Sequence, residues 1–386
     1  MRAAIVGGGV IGLSVAWRLA DDGHAVEVFD DAPGTGASYA AAGMLAPAGE
    51  AWFNEDALVR IGAQSLQMWP EFAAELSRVA DHDVWLRREG SLLVGTDEAD
   101  AADLDRVHGL LEQHGLTAER LTRREARRLE PALTTSLRRT VLVPGDRSVH
   151  NRRVIEALLR ACERAGVGVR PERADVVVDE QGAATGVRGR QSGAVHEADV
   201  TVVAAGSALS GVEGVPALLR SAVRPVKGEI LRLHSSQTLL QHTVRARVRG
   251  DTVYAVPRPD GGIVLGATSD ERDDLCVTAD GVYEVLRRGI AVVPGLRECE
   301  LVEATARARP GTADNGPLVG ETGVPNLLLA AGHYRGGVLM APVTALAVTS
   351  LLRGDAVPDT VAPFTPLRLT DPQRASEPDR LTGAPR

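Results

Sequence analysis

The first thirty residues combine short apolar runs with a longer segment whose apolar residues recur at helical spacing. The runs Ala3 to Val6 and Ala25 to Phe29 predict strands, and the segment Val10 to Asp22 predicts a helix between them. A secretion signal would not hold four glycines and then continue into two aspartates without a small-residue cleavage site, so we exclude it. We therefore expect the chain to open with a βαβ unit.

The turn between the first strand and the helix has the spacing Gly7-x-Gly9-x-x-Gly12. In such a turn the first glycine makes the tight bend, the second lets backbone approach a pyrophosphate, and the third lets helix and strand pack closely. Asp30 follows Gly12 by eighteen residues, near the spacing at which a carboxylate binds ribose hydroxyls, and its charge disfavours a 2′-phosphate. Asp31 competes for this role, but strand alternation favours Asp30. These residues predict an adenine dinucleotide.

Further along, the hydrophobic pattern predicts a helix with Asn151 as its N-cap, four strands, the hairpins of an antiparallel sheet and a buried final helix. The helices are 151–166 and about 337–352; the strands are 167–169, 176–178, 200–204 and 326–332; the hairpin segments are 223–231, 253–256 and 263–267. The prolines after Ala356 and the loss of periodicity predict a poorly ordered tail.

Composition narrows the function classes. The net charge of −8, with both signs mixed along the chain, offers no basic face for nucleic acid and no polybasic membrane anchor. No apolar stretch of about twenty residues predicts a membrane span. Cys162, Cys276 and Cys299 are odd in number and widely spaced, so we expect no disulfide framework, no metal site and a reducing cytoplasm. Homo-oligomer formation stays open.

The segment after Asp30 distinguishes NAD from FAD. "GTGASYAAAGMLAP" is small-residue-rich where a nicotinamide dehydrogenase usually begins another helix, which leaves room for a bulky ring. Together with "RPVKGEILRL", "YAVPRPDGGIVLGATSD", "RPGTADNGPLVG" and "AAGHYRGGVLMAP", it resembles the D-amino-acid-oxidase family of flavoproteins, most of all its glycine oxidase branch associated with thiamine biosynthesis. The matched stretches run from residue 1 to about 354.

The resemblance implies an α/β fold, α+β overall, in which a Rossmann-like FAD-binding domain is interleaved with an antiparallel-sheet substrate domain. We assign residues 1–80, 144–222 and 304–356 to the FAD-binding domain, 81–143 and 223–303 to the substrate-binding domain, and 357–386 to the tail. No cysteine lies between Pro310 and Leu339, so the FAD is expected to be non-covalent.

The resemblance also implies which residues bind FAD: Gly7, Gly9, Gly12 and Asp30 at the ADP end, Val176 by the adenine, Ala205 and Gly206 near the pyrophosphate, Ala37, Ser38, Ala42, Gly43 and Met44 along the path to the isoalloxazine, and His333, Arg335, Gly336, Gly337, Val338 and Leu339 beside that ring. Gly336 and Gly337 are predicted to open the last helix, whose N-terminal N–H groups would stabilise negative charge near flavin N1. His333 is interpreted as structural and not as a base.

For the substrate, the resemblance implies, through the motifs "RARPGT" and "TVYAVPR", that Arg309 and Tyr254 are the carboxylate-binding pair, with Arg335 in "GHYRGG" as a catalytic-site cation beside them or at the entrance. A planar guanidinium binds a carboxylate through two hydrogen bonds, and a phenol adds a third contact. Ser269 stands where the glycine oxidase pattern has a larger residue, which predicts a roomier pocket. Lys227 is the only lysine; a structural role is favoured over oxygen activation.

The expected reaction is FAD-dependent oxidation of glycine or a similarly small amino acid, such as sarcosine or D-alanine, to an imine and then a 2-oxo acid, with O2 reduced to H2O2. Alignment and electrostatics suffice for this chemistry without a catalytic base. Two alternatives stay open: a dehydrogenase of the same fold that reduces a quinone or carrier, and a non-oxidising flavin-dependent tRNA-modifying protein, which the acidic surface disfavours.

Overall fold

The computed structural model describes residues 1–50 and 54–369. Within those ranges the strands form four sheets. In chain order the strands are β1 (Arg2–Val6), β2 (Ala25–Phe29), β3 (Met44–Leu45), β4 (Ser91–Gly95), β5 (Glu119–Leu121), β6 (Arg139–Val143), β7 (Arg147–Ser148), β8 (Gly168–Arg170), β9 (Ala174–Val178), β10 (Ala184–Gly189), β11 (Val195–Glu197), β12 (Val200–Val203), β13 (Arg224–His234), β14 (Thr243–Val248), β15 (Asp251–Pro257), β16 (Gly262–Gly266), β17 (Glu300–Gly311), β18 (Leu318–Glu321) and β19 (Leu327–Ala331).

The α-helices range from single turns to one of twenty-five residues. They are α1 (Val10–Asp21), α2 (Ala37–Ala40), α3 (Asp56–Ala80), α4 (Glu98–Gln113), α5 (Arg123–Leu129), α6 (Asn151–Arg164), α7 (Ala217–Ser221), α8 (Ala279–Val292) and α9 (Ala341–Arg353). Short 3₁₀ helices lie at Gly206–Gly211, Pro294–Glu298, Tyr334–Gly336, Ala362–Phe364 and Pro366–Leu369.

The first sheet has six strands in the order β18-β19-β12-β1-β2-β8. Its strands are parallel, except that β18 runs antiparallel to β19 at one edge. The predicted βαβ unit is present, because β1 and β2 pair side by side and α1 connects them. Buried on both faces, β1 shows the near-continuous apolar run typical of a parallel sheet.

The turn between β1 and α1 requires glycine at two positions. Gly7 has φ +111°, a conformation that side-chain-bearing residues rarely adopt, and a Cβ at Gly12 would lie 1.9 Å from the Gly7 carbonyl oxygen. The helix therefore starts in direct contact with the end of the strand. This close approach seats Leu13 and Trp17 of α1 in the main core.

Helices α1, α3, α6 and α9 share one hydrophobic core with the parallel sheet, and the three-stranded antiparallel sheet β9-β10-β11 packs in a second one. The last helix is buried, as predicted, but it begins at Ala341 and not near Gly337. The first residue of α6 is Asn151; the N-cap is His150, whose side chain accepts a hydrogen bond from the Arg153 N–H. Asn151 instead donates to the Ser38 and Tyr39 carbonyls.

The other large sheet has eight strands in the order β17-β13-β16-β15-β14-β4-β6-β5. The predicted hairpin between β15 and β16 is present, and β13 pairs antiparallel with β16 and β17. Strand β17 runs through the boundary expected at residue 304 and stays in this sheet to Gly311. Arg309 is therefore part of this sheet, whose strand pairs are antiparallel except that β14 and β4 run parallel.

The expected disorder after Ala356 is wrong for the residues up to 369. Phe364 is buried, and Arg368 donates to the Pro317 carbonyl and pairs with Asp314 at 3.0 Å. Residues 370–386 lie outside the described part of the chain.

Asp146, in the turn between β6 and β7, is a buried carboxyl group with 1% exposure. Burial raises its pKa to about 7, and Glu50 nearby adds to that rise although Arg245 opposes it. Between the unfolded pKa near 3.8 and the folded value, the folded chain keeps a proton that the unfolded chain has lost. The free energy of unfolding therefore falls as pH rises through that window.

We predict that Asp146→Asn removes this decline. The free energy of unfolding of Asp146→Asn, relative to that of the wild type, should grow from pH 4.5 to pH 7 and level off above pH 8. The full change in this free energy is on the order of 4 kcal/mol, and the difference in Tm should follow the same course. Thermal unfolding of both purified proteins across that range measures it. A difference that does not change with pH would mean that Asp146 is already ionised at pH 5 in the folded protein.

Candidate active site

A cavity of about 830 Å³ runs from the ends of β1 and β2 to the face of β13, β15 and β17. Most of the residues singled out from the sequence line it, although they come from distant parts of the chain. They are Gly7, Gly9, Asp30, Ala37, Ser38, Ala42, Gly43, Met44, Ala205, Gly206, Tyr254, Arg309, His333, Arg335, Gly336, Gly337, Val338 and Leu339.

Two of the expected cofactor residues do not line this cavity. Gly12 lies behind the turn, where its missing side chain lets α1 approach Gly7. Val176 is buried in a hydrophobic core, and its backbone N–H donates to the Glu213 carbonyl at 2.9 Å. Arg173 and Ala174, three and two positions earlier on the same stretch, line the cavity instead, and a contact of Val176 with the adenine stays a prediction.

The N-terminus of α1 points at the cavity and suits an anion. The Val10 N–H donates to Ser38 Oγ at 3.0 Å, and the first backbone bond within the helix runs from Leu13 N–H to the Gly9 carbonyl. The first N–H groups of a helix have no partner in the helix itself and carry its positive dipole end. A Cβ on Gly9 would meet only Ser38 Oγ, at 3.4 Å, so this glycine keeps space open and does not relieve a backbone clash.

Asp30 is fixed by the same turn. Its Oδ2 accepts the Gly8 N–H at 2.6 Å and its Oδ1 accepts the Ala32 N–H at 2.8 Å. Each carboxylate oxygen has a further lone pair that can accept a hydroxyl of a ribose. Asp31 is paired with Arg173 at 2.9 Å, which leaves Asp30 as the better placed of the two carboxylates.

Arg309 on β17 and Tyr254 on β15 meet at the other end of the cavity. Arg309 NH1 donates to the Thr268 carbonyl at 3.2 Å. Burial raises the pKa of the Tyr254 phenol, and the nearby Arg309 only partly offsets that rise. The phenol therefore stays protonated at neutral pH and can donate a hydrogen bond, while the guanidinium supplies positive charge and two parallel donors.

Two glycines make room for these side chains. A Cβ on Gly228 would lie 2.2 Å from Arg309 NH1, and a Cβ on Gly266 would lie 2.2 Å from the Tyr254 hydroxyl oxygen. Both glycines occur in the motifs "PVKGE" and "VLGATS" that the sequence analysis quoted, but nothing local marks them as the floor of the site. Only strand pairing across the sheet brings each beneath its partner.

Glu50 is an acidic cavity residue that the sequence analysis missed. Its carboxylate lies 2.5 Å from Arg245 NH1 and 3.4 Å from Arg335 Nε. Burial tends to raise the pKa of Glu50, but Arg245, Arg335 and Arg309 outweigh this and the pKa lies below its usual value. Glu50 is therefore ionised and pairs with the expected cation Arg335.

The segment from Gly332 to Leu339 lines the cavity as a 3₁₀ turn, not as the start of a long helix. The Gly336 N–H already donates to the His333 carbonyl at 2.9 Å, so it is not a free donor at a helix N-terminus. His333 Nε2 lies 2.9 Å from Thr344 Oγ1, and burial lowers the pKa of His333 to about 3. A neutral, hydrogen-bonded imidazole agrees with its structural interpretation.

Arg258, also unassigned from the sequence, connects the end of β15 to the segments that flank the two-stranded sheet of β3 and β7. It is 6% exposed and donates to the Val149 carbonyl at 3.0 Å and to the Ala42 carbonyl at 2.6 Å. Burial, together with the charge of Arg232, lowers its pKa to about 9. The residue orients the backbone of the Ala42 segment that lines the cavity.

The positions of Lys227 and Ser269 bear on what was expected of them from the sequence. Lys227 is 1% exposed, lies 2.8 Å from Asp274 and 3.3 Å from Glu229, and does not line the cavity, which agrees with a structural role. Ser269 is solvent-exposed and also outside the lining, so the expected enlargement of the pocket by Ser269 is wrong. The neighbouring Thr268 contributes instead, through its carbonyl to Arg309.

Within residues 1–50 and 54–369, no cluster of three or more histidine, cysteine or acidic side chains is arranged to hold a metal ion. Over the same residues, no helix combines the length and apolar character that a membrane crossing requires.

Known proteins share both the sequence pattern and the fold. Residues 2–351 match the family model DAO, described as FAD dependent oxidoreductase. The chain is 34% identical to a glycine oxidase of Geobacillus kaustophilus over 94% of its own length and 95% of that protein, and it is 30% identical to the bifunctional protein ThiO/ThiG of Synechocystis, of which it covers 53%.

Solved structures agree with these relationships. The crystal structure of glycine oxidase from Geobacillus kaustophilus superposes with a TM-score of 0.85 at 33% identity, covering 94% of this chain and 98% of that one. Iminodiacetate oxidase from Chelativorans superposes with a TM-score of 0.82 at 25% identity, covering 95% and 99%. The glycine turn, the cavity and the matched length together show that this chain is an enzyme that belongs to the DAO family of FAD-dependent oxidoreductases.

Proposed function

We propose that the protein oxidises glycine or a similarly small α-amino acid, such as sarcosine or D-alanine, with non-covalently bound FAD and O2. The observation that carries the proposal is the pairing of Arg309 with a protonated Tyr254 at one end of a cavity whose other end is the glycine turn of α1. The similarity to glycine oxidases supports the substrate class. The relative named ThiO/ThiG suggests thiamine biosynthesis as a setting.

The residues present fit an extended FAD. The open space at Gly9 and the N-terminus of α1 suit the pyrophosphate, Asp30 suits the adenosine ribose, and the small side chains of the Ala37 to Met44 segment leave room for the ring system. When bound, FAD supplies a two-electron acceptor. No cysteine occurs between Pro310 and Leu339, which supports non-covalent binding.

In this proposal the chain acts by positioning. Arg309 and Tyr254 hold the substrate carboxylate, which directs the Cα–H bond toward the acceptor and fixes the distance for transfer. The amino acid loses a hydride from Cα and a proton from nitrogen and becomes an imine. Water then hydrolyses the imine to a 2-oxo acid and ammonia, or methylamine from sarcosine, while O2 accepts two electrons and two protons to give H2O2.

The reaction itself can be tested directly. We expect glycine, sarcosine or D-alanine to bleach the yellow purified holoenzyme under anaerobic conditions and to yield one H2O2 per 2-oxo acid in air. Bleaching without oxygen consumption would favour a dehydrogenase that uses a quinone or carrier. No bleaching with any of the three amino acids would contradict the proposed substrate class.

We predict that Gly9→Val folds but binds no FAD, because its branched side chain fills the space above the helix N-terminus. Gly12→Ala is the contrasting variant: its Cβ would collide with the Gly7 carbonyl at 1.9 Å, so we expect loss of folded protein. Circular dichroism and FAD stoichiometry after gel filtration separate the two. Stoichiometric FAD on folded Gly9→Val would show that the pyrophosphate lies elsewhere.

We predict that Arg309→Ala lowers kcat/KM for the amino acids by roughly thirty- to several-thousand-fold, as for loss of a desolvated charge partner worth about 2–5 kcal/mol. Arg309→Lys should restore part of the loss, because an ammonium cannot reproduce two parallel bonds. Tyr254→Phe should lose roughly ten- to a hundredfold. All three should keep FAD. Near-normal kcat/KM in FAD-loaded Arg309→Ala would contradict the assignment of Arg309, and Arg335 would become the next candidate for binding the carboxylate.

A further inference from the structure

Glu50 stands at the carboxylate end of the cavity among three arginines. Arg245 lies behind it, outside the cavity lining, and Arg335 lies beside it on the lining. The third, Arg309, is close enough to help lower the pKa of Glu50 but makes no ion pair with any carboxylate of residues 1–50 and 54–369. Glu50 thus forms ion pairs with two of the three arginines, and Arg309 is the one that it does not pair with.

The only other acidic group described against Arg245 does not change this balance. Asp146 is buried near both Arg245 and Glu50, and its pKa of about 7 leaves it largely protonated below that pH. Arg245 NH1 also contacts Met44 Sδ at 3.3 Å, which fixes the guanidinium against the cavity wall. Glu50 is therefore held rigidly, with 22% of its side chain exposed.

We propose that Glu50 determines the charge class of the substrate, a proposal that rests on the proposed function. By occupying Arg245 and Arg335, its carboxylate leaves Arg309 to bind a single substrate carboxylate. A second acidic group on the same small molecule would meet the negative charge of Glu50, which lines the same cavity and is 22% exposed. The site therefore selects monocarboxylates such as glycine over dicarboxylates such as iminodiacetate or D-aspartate.

The test compares Glu50→Gln with wild type by binding and by turnover. Acetate and malonate are carboxylates without an oxidisable amine, and their Kd values can be measured from the shift in flavin absorbance of the holoenzyme. We expect the ratio of malonate to acetate affinity to rise at least tenfold in Glu50→Gln, and kcat/KM for iminodiacetate relative to glycine to rise in parallel. A malonate to acetate ratio within twofold of wild type would overturn the proposal.

Glu303→Gln is the matched control. Glu303 is also a partly buried carboxylate paired with an arginine, at 2.7 Å from Arg152 with 28% exposure, but it does not line the cavity. It should leave the malonate to acetate ratio unchanged. Glu50→Asp keeps the charge and should retain most of the discrimination; a loss equal to that in Glu50→Gln would show that shape, and not charge, is responsible.

Removing Glu50 alone leaves Arg245 buried without a counter-charge, which can destabilise the fold. The double variant Glu50→Met/Arg245→Met removes both buried charges and frees Arg335 and Arg309 together. It should show the same rise in malonate binding, and an unchanged ratio in this FAD-loaded variant would again overturn the proposal. Because acetate and malonate are not oxidised, the binding result stands even if no amino acid is turned over, so failure of the proposed function is distinguishable.

Discussion

The rest of the structure depends on the close steric contact between the start of α1 and the end of β1. The Gly12 position lies so near the Gly7 carbonyl that no side chain fits between them, and Gly7 itself adopts a positive φ. This contact sets the depth at which α1 lies on the parallel sheet. The core formed with α6 and α9 follows from that depth, and so does the aim of the helix N-terminus into the cavity.

The position of the cavity lining also depends on contacts made by the eight-stranded sheet. Strand β17 of the eight-stranded sheet carries Arg309 to the cavity, and Arg258, just after β15, binds the carbonyls of Ala42 and Val149 beside the β3-β7 sheet. A buried guanidinium is costly to desolvate, as its lowered pKa reflects. Its two hydrogen bonds to backbone carbonyls orient the segment that lines the cavity. The desolvation cost of Arg258 therefore falls at a place where the backbone geometry shapes the site.

Charge is divided unequally at the carboxylate end of the cavity. Arg245 and Arg335 pair with Glu50, whereas Arg309 donates to the Thr268 carbonyl and lies beside the phenol of Tyr254. Preorganised positive charge of this kind favours positioning over proton abstraction, and the neutral His333 nearby agrees with a site that needs no base.

The sequence by itself determined the opening βαβ unit, the β15–β16 hairpin, the buried last helix and the membership in a flavoprotein family. These features depend on hydrophobic period and glycine spacing, which are local properties of the chain. It also identified Arg309 and Tyr254, through motifs, but not the glycines beneath them. Only the tertiary structure decided the roles of Glu50 and Arg258, the exclusion of Val176 and Ser269 from the cavity, and the start of α9 at Ala341. Each depends on contacts between residues far apart in the chain, or on a turn whose geometry is set by its neighbours, and no local pattern encodes such distances.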